Sequence, residues 1–148
     1  ARFGLTLEAA IRCELFAWRN SPDGRLAEIL VLDQFSRNMF RDTPRAFAQD
    51  ALALVLAQEL VSSGGDRDLP PNQRAFAYMP FMHSESPLIH EHALLLFSQP
   101  GMQSNYDFEV RHKTIIDRFG RYPHRNHILG RASSAPEIAF LSEPGSSF

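Results

Sequence analysis

Apolar residues recur at helical spacing along most of the chain, and clusters of turn-forming residues interrupt them. This pattern predicts a first helix over about residues 5–18, before a turn at residues 20–24. A second helix is predicted over about residues 25–39, where the apolar stripe continues into Asp33 and Arg37. We expect these two side chains to form an ion pair on that stripe.

The middle of the chain carries three further helical patterns. Pro44 stands at the first helical position before an alanine- and leucine-rich helix over about residues 46–61. An aromatic helix over about residues 72–79 is predicted to end or kink at Pro80. The third helix is predicted over about residues 88–98.

Two helices are predicted in the last third of the chain. Ser104 and Asp107 resemble a capping box at the start of a helix that ends before Gly120. Ser134 and Glu137 carry the same signature before a short final helix. Because no segment alternates like a strand, the chain is predicted to be all-α, with about seven helices in antiparallel hairpins.

Composition places the chain among single domains that fold without cross-links. It has 148 residues, of which 44% are hydrophobic and 22% charged, with a net charge of −2 and one cysteine, Cys13. No apolar run approaches the roughly 20 residues that cross a bilayer. A pI near 6.3 argues against the basic surface typical of nucleic-acid binding. We therefore expect one cytoplasmic domain over residues 1–148, with neither a membrane nor a nucleic acid as partner.

Positive charge concentrates near the end of the chain. Residues 118–134 hold four arginines and two histidines but no acidic residue. Because a guanidinium group forms paired hydrogen bonds with carboxylates and phosphates, such a cluster is suited to binding a small anion. The alternative is that the arginines bond helix-terminal carbonyls and pair with acids from elsewhere in the fold.

A second candidate group follows the aromatic helix, where His83 precedes Ser84 and Glu85. A histidine beside a carboxylate on a loop is suited to acid–base chemistry near neutral pH. Alternatively, Ser84 and Glu85 cap the next helix, and His83 is a hydrogen-bonded linker. The histidines and acids show no compact metal-ligand spacing, so neither a metal nor a cofactor is predicted.

Three longer strings are specific enough to compare with known families. They cover residues 32–38 (LDQFSRN), 78–85 (YMPFMHSE) and 118–131 (RFGRYPHRNHILGR). The strings resemble the bacterial family known as domain of unknown function 924. This resemblance implies an all-helical, tetratricopeptide-like array without an established activity. The family also carries an N-terminal segment ahead of Arg2, so we expect this chain to lack it and the apolar surface left exposed to favour dimers.

The leading functional hypothesis is a binding module, in which a groove between helical hairpins takes a small anion or the acidic end of a peptide. One alternative is an enzyme with His83 or His124 as general acid or base and arginines that stabilise negative charge. The other is a structural scaffold that binds a partner protein. The candidate binding residues are Asp33, Arg37, Asn38, His83, Glu85, Arg118, Arg121, His124, Arg125 and Asn126.

Overall fold

A computed structural model describes the fold over residues 2–148, with side chains from Phe3 onward. Ala1 and the side chain of Arg2 lie outside the described residues, as does the start of the predicted 1–148 domain. No strand occurs between residues 2 and 148, which confirms the all-α prediction. The helices in chain order are α1 (Arg2–Ile11), α2 (Pro22–Leu30), α3 (Ser36–Met39), α4 (Asp50–Ser62), α5 (Pro71–His83), α6 (Pro87–Phe97), α7 (Gln103–Phe119), α8 (Asn126–Leu129) and α9 (Ala135–Leu141).

The second predicted helix is continuous but changes geometry in its middle. α2 passes at Val31–Phe35 into a π-helical turn, whose hydrogen bonds span five residues instead of four, and continues as α3. With this run counted once, eight separate helices are described, against about seven predicted. The π-helical turn places Asp33 in the interior, where this residue is 1% exposed.

The first helix is shorter than predicted. α1 ends at Ile11, and the chain leaves it through Cys13, whose φ of 59° lies in the left-handed region. The amide nitrogens of Cys13 and Glu14 donate to carbonyls of the last helical turn at 3.0 and 2.9 Å. A reversal of the chain therefore satisfies these carbonyls, and residues 16–20 form a separate 3₁₀ turn.

α4 starts four residues later than predicted, at Asp50. Pro44 does begin a helical segment, but that segment is the 3₁₀ turn Pro44–Ala46. Thr43 does not cap it, since its hydroxyl donates to the carbonyl of Phe40 at 2.7 Å. The late start places the Asp50 carboxylate in the first turn of α4, where the helix dipole favours negative charge.

Pro80 does not end its helix. α5 continues through the buried Pro80 to His83, so the surrounding packing outweighs the loss of one backbone hydrogen bond. This continuation brings the His83 side chain onto the last turn of α5. A helix ending at residue 79 would have left His83 on a flexible connection.

Serine residues cap the N-termini of two later helices. Ser86 accepts a hydrogen bond from the first turn of α6, and Ser134 with Glu137 forms a complete capping box at α9. α7 differs from its prediction, because Met102 precedes it and supplies no side-chain cap. The predicted capping box at Ser104 is therefore wrong.

Two cores hold the helices together. The main core packs α1, α2, α4, α5 and α6, and it encloses Leu32, Leu60 and Phe97 completely. A smaller core joins Ile116 of α7 to Tyr122 in the segment that follows. Where the two cores meet, the last turn of α5, the first turn of α4 and the segment 122–131 come into contact.

Along the chain, α4 packs on α5, α5 on α6 and α6 on α7. Within residues 2–148, no helix is both long and apolar enough to cross a membrane. The antiparallel, tetratricopeptide-like order of the helices and the cytoplasmic location stay predictions.

Candidate functional site

Asp33 is the buried centre of a polar network. One carboxylate oxygen accepts from His83 Nδ1 at 2.7 Å and from Arg37 Nη1 at 3.0 Å, while the other accepts from Gln34 Nε2 at 2.6 Å. Burial alone would raise the pKa of Asp33, but His83 and the other two donors outweigh it, so this pKa is lowered. Asp33 is therefore an anion held inside the fold.

His83 is oriented by Asp33 and borders an open cleft. Because a carboxylate only accepts hydrogen bonds, Nδ1 carries a proton, and in the neutral imidazole this bond selects the tautomer whose lone pair lies on Nε2. Among the described residues, Nε2 has no hydrogen-bond partner, and the side chain is 12% exposed. A histidine held in this way can accept a proton at Nε2 from a bound molecule. The sequence had suggested Glu85 as its partner, whereas the structure assigns that role to Asp33.

Arg37 links Asp33 to the start of α4. Its two terminal nitrogens bond both carboxylate oxygens of Asp50, at 2.7 and 2.9 Å. Burial would lower the pKa of Arg37, but Asp50 and Asp33 raise it above its usual value. The predicted Asp33–Arg37 ion pair is thus present, extended by an acid that the sequence analysis did not select.

Arg125 is the least satisfied cation of the cluster. It is 5% exposed, and its guanidinium carbon lies 4.5 Å from the ring centroid of Phe47 and 4.7 Å from that of Tyr122. Nη2 donates to the His83 carbonyl at 3.0 Å, whereas Nη1 stays 3.6 Å from Asp50 and 3.9 Å from the nearest other carboxylate. Nε is buried without a partner among the described residues. Burial, assisted by nearby Arg37, lowers the pKa of Arg125.

Glu85 is neutralised mainly by Arg131. The two side chains form a paired contact at 2.9 and 3.1 Å, and the amide of Tyr122 also donates to Glu85 at 2.6 Å. Burial would raise the pKa of Glu85, but these donors lower it. Glu85 therefore fastens the segment 122–131 to the end of α5 instead of capping α6.

The cluster faces a cleft of about 400 Å³, which we call cleft A. Its polar lining residues are Asp50, His83, Ser84, Glu85 and Arg125. The other lining residues are apolar, so the cleft combines a few polar groups with hydrophobic surface, as small-molecule sites do. These apolar residues are Pro44, Phe47, Ala48, Ala51, Leu54, Pro80 and Leu129.

A second cleft, cleft B, has a volume of about 590 Å³ and shares Phe47 with cleft A. Asn38 and His124 border cleft B, together with Arg37. Burial and the charge of Arg125 lower the pKa of His124 to about 4. His83 and His124 thus face different clefts, which separates the two histidines of the enzyme hypothesis.

Arg118, Arg121 and Asn126 line neither cleft A nor cleft B and do not contact Asp33. Arg121 pairs with Glu137 at 2.8 and 2.9 Å. Arg118 lies over the Phe119 ring at 4.6 Å. The buried Asn126 side chain donates from its amide to Glu137 at 3.3 Å. These residues join α9 to the body of the protein.

Phe47, Asp50 and Arg131 complete the cluster although they were not among the candidate residues. Arg131 lies inside the arginine-rich stretch, and this position could have identified it as a candidate. Phe47 precedes an alanine-rich helix and Asp50 begins it, and no local pattern in the sequence distinguishes either residue.

The sequence model of a family described as "Bacterial protein of unknown function (DUF924)" matches residues 1–145. A solved structure of a protein of unknown function, ATU0120 from Agrobacterium tumefaciens, is also similar. Its sequence is 38% identical, the TM-score is 0.91, and the match covers 95% of this chain and 80% of that one. Among curated proteins, none matches this chain.

Proposed function

The chain belongs to the DUF924 family, and we propose that it binds a small molecule carrying a carboxylate or similar oxyanion in cleft A. The observation that carries the proposal is Arg125, a buried guanidinium on the cleft wall whose Nη1 lacks a hydrogen-bond partner among the described residues. An oxyanion at Nη1 would form the charge-assisted hydrogen bond that neither neighbouring carboxylate forms.

Among the arginines around cleft A, Arg125 is the one whose charge is available to such a ligand. Three arginines face three carboxylates, so the cluster has no large excess of positive charge. However, two of the arginines are committed: Arg37 is paired with Asp50, and Arg131 with Glu85. A charge-assisted hydrogen bond to Arg125 contributes about 1.5–3 kcal/mol, or roughly 10-fold to 150-fold in affinity.

A second candidate function, acid–base catalysis on the bound molecule, is favoured by the Asp33–His83 pair. Arg125 Nη2 donates to the His83 carbonyl, and both residues line cleft A, so the anion-binding and proton-accepting residues border the same cleft. Asp33 would act as a positioning residue that holds the His83 ring through Nδ1. His124 has no part in this candidate, since it borders cleft B and burial keeps its imidazole neutral.

Alkylation by iodoacetate and iodoacetamide tests both functions. The two reagents share one reactive carbon but differ in charge, and the Nε2 lone pair of His83 displaces iodide from either. A Cys13→Ser background is required, because Cys13 is an exposed thiol. We expect iodoacetate to modify His83 at least about tenfold faster than iodoacetamide, as read by peptide mass spectrometry.

The exposed His92 in the same samples is the internal control, with an expected rate ratio near one. Arg125→Lys should abolish most of the preference at His83, whereas Arg111→Lys on the exposed face of α7 should keep it. Asp33→Asn should slow both reagents at His83 and leave their ratio unchanged. Equal rates of the two reagents at His83 would refute anion binding, and an Asp33→Asn protein that reacts like wild type would refute the acid–base candidate.

The scaffold hypothesis is the remaining alternative. It predicts an apolar groove without convergent arginine heads, whereas cleft A has Arg125 in its wall and cleft B has Arg37 and Arg41. We therefore rank a tetratricopeptide-like protein-binding scaffold below the small-molecule site.

A further inference from the structure

An aromatic slot lies next to cleft B and is filled by the protein itself. The Phe148 ring centroid is 4.0 Å from that of His112 and 4.4 Å from that of His124. Tyr122 closes the slot at 5.2 Å, with its ring nearly perpendicular to Phe148. These separations are those of stacked and edge-to-face aromatic pairs, so the slot has the dimensions of one planar ring.

Phe148 is held there by few contacts outside the slot. It is 53% exposed, and residues 144–148 form no helix. Among the described residues, the side-chain hydrogen bond of this segment runs from Ser146 Oγ to the carbonyl of Leu141 at 3.1 Å. Because Ser146 is buried and the other four residues of 144–148 are exposed, Phe148 can leave the slot at small cost in free energy.

The walls of the slot suit an uncharged planar ring with polar edges. His112 donates from Nδ1 to the Phe108 carbonyl at 2.7 Å, which leaves Nε2 as an acceptor. His124 Nδ1 is buried without a hydrogen-bond partner among the described residues. Burial lowers the pKa of both imidazoles to about 4, so both are neutral at physiological pH.

The slot opens on a wall that can hold an anionic group. His124 and Phe148 both border cleft B, which also contains Arg41. Within residues 2–148, Arg41 makes no ion pair, although Asp42 lies on the same wall. We propose that the slot is a second binding site, for the planar ring of an aromatic acid whose anionic group reaches Arg41, and that Phe148 occupies it as a displaceable internal competitor.

Benzoate binding to Phe148→Ala tests this proposal. The expected readout is the ring-proton NMR signals of His112 and His124, which lose the ring-current shift of Phe148 in the variant and regain one with benzoate. If Phe148 fills the slot in about nine molecules out of ten, emptying the slot lowers the apparent dissociation constant about tenfold. Cyclohexanecarboxylate has the same charge but a non-planar ring, and we expect no such gain for it.

Phe108→Ala is the matched control, because Phe108 is similarly exposed but lies outside the slot. It should bind benzoate as wild type does. The proposal is overturned if benzoate leaves the His112 and His124 signals of Phe148→Ala unmoved, if it binds the variant no tighter than wild type, or if cyclohexanecarboxylate gains equally. Since neither His112 nor His124 lines cleft A, this outcome is independent of the iodoacetate result.

Discussion

Removal of the Asp33 carboxylate should cost a large part of the protein's stability. Asp33→Ala leaves His83 Nδ1 and Gln34 without their buried acceptor, while Arg37 keeps its contact with Asp50. Breaking a buried ion pair by removing one partner costs about 3–5 kcal/mol, against a total of about 5–15 kcal/mol for a typical domain. With a urea m-value of about 2 kcal/mol/M, the unfolding midpoint should fall by about 2 M.

The matched control is Asp117→Ala, which removes a half-exposed carboxylate from the surface of α7 and should change stability by less than about 0.5 kcal/mol. Urea unfolding followed by circular dichroism measures both variants. The pKa of Asp33 is lowered in the folded state, so its contribution is fully present above the ordinary Asp pKa of about 3.9 and is lost as pH falls through the folded value. The gap between wild type and Asp33→Ala should therefore narrow below about pH 4. The reasoning is refuted if Asp33→Ala unfolds at the same urea concentration as Asp117→Ala, or if the gap is as wide at pH 2.5 as at pH 7.

Three further changes test the fold. Phe97→Ala should lower the free energy of unfolding in urea by about 3–5 kcal/mol, because Phe97 is fully buried and packs on Tyr78. Leu95 on the same helix is 72% exposed and should tolerate alanine. Similar losses for the two variants would contradict the assigned core. Because burial lowers the pKa of His112 to about 4, wild-type stability should fall as pH drops from about 6.5 towards 4, and His112→Gln should show a shallower decline, as measured by thermal unfolding at each pH. Gly120→Ala should lower the free energy of unfolding by about 1–2 kcal/mol, because Gly120 has a φ of 71°, which alanine adopts at a cost, although a Cβ there meets no atom within 4 Å. A variant as stable as wild type in urea unfolding would show that no left-handed cap is needed.

Local patterns in the sequence predicted most helices because their ends carry local chemistry. Gly120 adopts the left-handed cap that its position indicated, and Ser134 caps α9 as its spacing required. The early end of α1 was not predicted, since Cys13 is neither glycine nor asparagine and only the surrounding fold holds it at positive φ. The π-helical turn was also hidden, because one inserted residue barely changes the apolar pattern of α2.

The site was partly predictable because three sequence strings supply most of its polar residues. Asp33, His83 and Arg125 come from different strings, and hydrogen bonds join the other two to His83 beside cleft A. The partners could not be inferred, because the acids that face the arginine-rich stretch are distant in sequence. Glu85 pairs with Arg131 across 46 positions of the sequence. The alternative that arginines of the stretch 118–134 pair with acids from outside it is thus confirmed for Arg131 and for Arg121, which pairs with Glu137.

The π-helical turn at Val31–Phe35 sets the rotational phase between the two halves of its helix. An α-helix holds about 3.6 residues per turn, whereas the π-helical turn, with hydrogen bonds that span five residues, takes up about one residue more before α3 continues. The extra residue is thus absorbed within one turn, and Arg37 reaches Asp50 from a helix that remains continuous with α2.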